Sequence, residues 1–164
     1  QADNSTDLVY AQILTHVGRI EDARKILNST DCANHPGSFA YLSAWLTFYR
    51  DSGDTRNEET WARRMVAEIP EKSHGYAYLG CCLARQGKLQ EAESVFRDGA
   101  SRDGNPEELL YNLARVLCSE LRLQEAYEVL KRALELDPDD ERIVVAFDDV
   151  KLAMEFDADE KFAK

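Results

Sequence analysis

From residue 73 to residue 140 the apolar positions recur with the period of an α-helix. Tyr76, Leu79, Gly80 and Leu83 fall at i, i+3, i+4 and i+7, and Leu110, Leu113, Ala114 and Leu117 repeat the spacing. A stripe of this period lies on one side of a helix and needs a neighbour to cover it. A second stripe follows each first one: Leu89, Ala92 and Phe96 in one case, Leu123, Ala126, Leu130 and Leu134 in the other. Between two such stripes stands Gly87, and a glycine there can take the left-handed backbone conformation that ends a helix without a Cβ clash. Pro70 and Pro138 stand where one pair of helices ends and the next begins, since proline is tolerated only in a helix's first turn. Period-two alternation, the mark of a half-buried strand, is absent. The pattern predicts helix pairs throughout.

The pairs repeat. Gly87-Lys-Leu-Gln-Glu-Ala92 returns as Leu121-Arg-Leu-Gln-Glu-Ala126, thirty-four residues on, and Gly18-Arg-Ile-Glu-Asp-Ala23 is an earlier version. With Gly53 the turns stand at 18, 53, 87 and 121, at steps of 35, 34 and 34. Two further columns keep those steps: Tyr10, Trp45, Leu79, Leu113, and Leu14, Tyr49, Leu83, Leu117. Several columns sharing one period identify a repeat array. Residues 141–156 read as one further helix, with Val144, Phe147, Val150 and Met154 as its apolar face and Asp148, Asp149 and Glu155 outward. It would cap the array, because the last repeat exposes a stripe that no further repeat covers. Residues 157–164 are expected to fray.

A 34-residue unit with an aromatic residue or Leu, then Leu-Gly/Ala, a turn glycine, an alanine, a large apolar residue, another alanine and a proline resembles the tetratricopeptide repeat (TPR). The resemblance is closest where Tyr76, Leu79, Gly80, Gly87, Ala92 and Phe96 share one unit and Leu110, Leu113, Ala114, Ala126, Leu130, Ala133 and Pro138 the next. Residues 4–37 match through Tyr10, Ala11, Gly18, Ala23 and Leu27, with Asp7 where a large apolar residue is usual. Residues 38–72 depart from the pattern. Leu46 fills a normally small site, Glu58 replaces a small residue and Ala62 a large one. The stripe Trp61, Met65, Ile69 suggests a second helix that starts late, after an extended turn over 51–57. The resemblance covers about nine-tenths of the chain. It implies an all-α, TPR-type right-handed superhelical solenoid in a single domain over 1–164, with repeats near 4–37, 38–72, 73–106 and 107–140 and a capping helix over 141–156.

In this family the first helices line a concave face. Transferred by position, the inward residues are Leu8, Gln12, Thr15 and His16, then Ser43, Thr47 and Arg50, then His74, Ala77, Cys81 and Arg85. Glu108, Tyr111, Arg115 and Cys118 continue the row, and Arg142, Val145 and Asp149 end it. Arginine with tyrosine is a combination enriched at binding hot spots; the plainer reading is that these arginines balance neighbouring acids. Relatives that grip the C-terminal carboxylate of heat-shock proteins place Lys and Asn at fixed positions of the groove. Those positions hold Leu8, Gln12, Ala44, His74 and Tyr78 here, or Ser43, Thr47, Tyr78, Glu108 and Asn112 one repeat later. Neither set forms that clamp.

Charge narrows the partners. The net charge is −11, and residues 135–164 alone hold eleven acids against four bases. Such a chain is repelled by nucleic-acid phosphates and anionic lipid, and no apolar run is long enough to span a membrane. The acidic end is the polar outer face that a terminal cap needs, rather than a docking surface for a basic partner. Cys32, Cys81, Cys82 and Cys118 show no C-x-x-C spacing and read as reduced, packed thiols, which suits the cytoplasm. A start at Gln1 is also what a processed envelope protein or a fragment would show.

Candidate chemistry is sparse. Cys32 and His35 have a ligand-like spacing but no second pair, and His74, Cys81 and Cys118 more plainly line a groove than hold a metal. No glycine-rich phosphate loop or nucleophile elbow occurs. The expectation is a non-enzymatic scaffold without cofactor or metal, binding an extended peptide or a helix of an unidentified protein. The alternative is an oligomerisation module of a larger protein, pairing as a homodimer through its terminal helix, where Phe156 and Phe162 stand exposed.

Overall fold

The computed structural model describes the backbone of residues 4–29, 38–102 and 106–162, and side chains over 6–28, 38–102 and 106–156. Among the described residues there are nine helices and no strand. They are α1 (Asn4–His16), α2 (Ile20–Ser29), α3 (Phe39–Asp51), α4 (Thr55–Glu68), α5 (Ser73–Arg85), α6 (Leu89–Arg102), α7 (Glu107–Ser119), α8 (Leu123–Leu136) and α9 (Glu141–Phe162). The fold is all-α and of the helix-pair kind the spacing predicts. The chain divides into two compact units, Gln1–Cys82 and Leu83–Lys164, with the boundary inside α5.

Each turn within a pair is built the same way. Gly18, Gly53 and Gly87 take φ of 81°, 76° and 76°, and Leu121 takes 58° at the equivalent place. The turn residue donates its N–H to the carbonyl three back, and the next residue donates to the carbonyl five back, as in Gly87 N–Ala84 O (3.0 Å) and Lys88 N–Leu83 O (3.0 Å). Leu121 N–Cys118 O (3.0 Å) and Arg122 N–Leu117 O (2.9 Å) repeat the pair of bonds without a glycine. These bonds satisfy the open carbonyls at the helix end.

The second pair corrects an expectation. No extended turn occupies 51–57: α3 ends at Asp51 and α4 begins at Thr55. Gly53 supplies the left-handed residue, and the Asp54 carboxylate caps α4, accepting from Asn57 N (3.2 Å) and Asn57 Nδ2 (2.7 Å). The polar run that reads as a loop is the first turn of a capped helix. Leu46, Glu58 and Ala62 are all buried, so this pair carries its large aliphatic residue on the first helix instead of the second. The terminal helix also differs. It continues to Phe162, six residues beyond the expected end, since no Gly or Pro interrupts 141–162. The side chain of Phe162, and the Cys32–His35 pair, lie outside the described residues.

In the first unit α1 packs on α2 and α3, and α3 on α4. Leu8, Ala11, Leu14, Ala23, Leu27, Ala44, Trp45 and Phe48 form a buried cluster. Trp45 stacks on Tyr49 (5.4 Å between centroids) and on Trp61 (5.3 Å), offset arrangements that add to simple area burial. Gly75 brings the start of α5 against α4, where a Cβ would stand 3.2 Å from the Val66 backbone nitrogen. In the second unit α7 packs on both α6 and α8, and α8 on α9. Ala114 and Ala126 are both buried, and their small size lets α7 and α8 approach. Phe96, Leu113, Leu117, Leu130 and Ile143 complete this core, each contributing about 1.5–3 kcal/mol by burial.

Candidate functional site

The sequence-predicted groove residues divide between the two units. In the first, Gln12 and Thr47 are partly buried, Cys81 is half-buried, and His16, Arg50 and His74 are exposed. Three neighbours placed in the same row are not surface residues: Leu8, Thr15 and Ser43 are buried. The Thr15 hydroxyl donates back to Ala11 O (2.8 Å), so it is consumed within its own helix. Arg50 donates from Nε to Asp51 Oδ1 (2.9 Å). His74 meets the edge of Phe39, centroids 5.0 Å apart. Cys82, next to the predicted Cys81, is fully buried with its thiol 3.7 Å from Thr55 O.

The second unit carries Arg85, Glu108, Tyr111, Arg115 and Arg142. Arg85 is exposed at the end of α5. The other four converge, because α7 presents positions 108, 111 and 115 on successive turns and α9 begins beside them. The Arg142 guanidinium lies 5.4 Å from the centre of the Tyr111 ring and that of Arg115 5.8 Å, both over the ring. Arg142 Nη2 donates to Glu108 Oε2 (3.0 Å) and to Asp140 Oδ2 (2.7 Å). Hydrogen bonding to Arg142 holds the Asp140 carboxyl below the usual carboxylate range, and Asp140 and Glu108 hold the guanidinium charged. Glu108 is tied further by Asn112 Nδ2, which donates to Glu108 Oε1 (3.2 Å) and to its carbonyl (2.9 Å).

Arg115 differs from Arg142. Its one hydrogen bond among the described residues is from Nη1 to Asn112 Oδ1 at 3.4 Å, and no described carboxylate lies within ion-pair distance. A planar fork of donors thus stands over an aromatic face with no carboxylate among the described residues to answer its charge, a geometry suited to a carbonyl, carboxylate or other planar acceptor. Farther along the row, burial pushes the Cys118 thiol up from its ordinary value, the opposite of what a reactive cysteine needs. Among the described residues no group of three or more His, Cys, Asp or Glu could hold a metal ion, and no helix is long and apolar enough to cross a membrane.

Two features escaped the sequence reading. Asn112 and Asp140 position the Arg142–Glu108–Tyr111 group; the i, i+4 spacing of Glu108 and Asn112 was the available signal. Arg122, at the start of α8, binds Glu93 of α6, Glu120 after α7 and Glu125 of its own helix (2.7 Å). Its partners lie up to 29 residues away in sequence, and nothing local announces them.

The tetratricopeptide-repeat family profile matches residues 83–146. Among curated protein sequences none matches this chain. Solved structures are similar in fold. The thermophilic TPR protein TTC0263 of Thermus thermophilus superposes with a TM-score of 0.75 at 18% identity, over 92% of this chain and 82% of that one. The type III secretion chaperone SycD of Yersinia enterocolitica, solved with a peptide of the translocator YopD, gives 0.63 at 20% identity, over 77% of this chain and 97% of its own. The second TPR domain of human RPAP3, in complex with the HSP70 peptide SGPTIEEVD, gives 0.61 at 16% identity, over 67% and 92%. The 34-residue step, the recurring turn and the paired helices agree with the profile matched over residues 83–146, and the chain has the fold of the tetratricopeptide-repeat proteins it resembles.

Proposed function

We propose that this protein is an interaction scaffold that holds an extended peptide or a helix of a partner protein against the first-helix face of its second unit, anchored by Arg115, Tyr111 and Arg85. The observation that carries the reading is Arg115: a guanidinium over an aromatic ring, without a described carboxylate partner, in a chain of net charge −11. Arg142, in the same unit, is already answered by Glu108 and Asp140, and Arg115 differs from it in this. Two similar structures support the class of role, since SycD and the RPAP3 domain were each solved with a peptide. The partner would present a carboxylate or a free backbone carbonyl to Arg115 and an apolar side chain to Tyr111.

The test pairs Arg115→Ala and Tyr111→Ala with capture of partners from the source cell, followed by titration of the captured peptide by calorimetry. Removing a hot-spot side chain costs about 2 kcal/mol or more, roughly thirtyfold in affinity. Retention of both partners and affinity in the folded double variant would show that this face is not the binding face. Pairing through α9 is the second reading, and Val145, Leu152 and Phe156 are exposed there. Asp148 and Asp149 are exposed on the same stripe, however, and a two-fold pairing would bring their carboxylates together. We do not adopt it.

A further inference from the structure

We draw no further inference here: the strongest candidate, the cleft that α6, α7 and α8 line in the second unit between Arg97 and Arg132, has for its floor Leu110 and Leu113, which are at most 3% exposed and so offer a ligand almost no apolar surface, and nothing in the structure shows what fills it.

Discussion

Leu121 sits at φ 58°, a conformation in which an L side chain crowds its own backbone at a cost of about 1–2 kcal/mol. Three equivalent turns use glycine there. The Leu121 side chain is 82% exposed and gives little packing in return. Leu121→Gly is therefore expected to stabilise the protein, by up to about 1 kcal/mol once the entropy of glycine in the unfolded chain is counted. Gly87→Ala should destabilise by about the same amount although nothing lies within 4 Å of the added Cβ. Chemical denaturation of the two variants checks both signs. The periodicity alone placed a turn at Leu121, because residue type mattered less there than its distance from Gly87. At the candidate site the sequence placed Tyr111, Arg115 and Arg142 on one face. It could not tell that Arg142 is held by Asp140 and Glu108 while Arg115 is not, since that depends on how α9 meets α7.

At the scale of elements, Arg122 joins three helices through Glu93, Glu120 and Glu125. Hydrogen bonding to Arg122 holds the Glu93 and Glu125 carboxyls below the usual carboxylate range. The unfolded chain therefore binds more protons at these groups than the folded one, and stability rises with pH through this window. The contribution is fully present above the unfolded value of about 4.3 and is lost as pH falls through the lower folded values. Arg122→Leu should accordingly reduce the urea midpoint at pH 7, and the gap from wild type should close on titration toward pH 3. A gap constant with pH would mean that the effect of the substitution is packing. The expected late start of α4 shows the converse limit. Thr55–Thr60 is polar, and polarity without periodicity reads as a loop. Only the Asp54 cap and the burial of Glu58 reveal a helix whose apolar stripe has been shifted along its length.

For the molecule as a whole, fold and partner separate cleanly. The RPAP3 domain was solved with a heat-shock peptide, whereas the residues that the family register sets at its clamp positions are Leu8, Gln12, Ala44, His74 and Tyr78 in this chain, and Leu8 is buried. The peptide SGPTIEEVD, with its acidic end and free carboxylate, is expected to show no saturable binding by fluorescence anisotropy. Saturation abolished by Arg115→Ala would instead assign it to the Tyr111 face. The sequence by itself determined the repeat, because periodic burial needs only local spacing: each helix must turn one stripe inward, and a 34-residue step aligns the stripes. It also determined the net charge of −11. Tertiary structure alone decided which polar groups are spent and which apolar ones are left open. Arg142 is committed and Arg115 is not, and Tyr10 is exposed where Trp45 and Leu113 are buried. Those differences are set by which neighbour arrives from elsewhere in the chain, and residues of the same column carry no local mark of it.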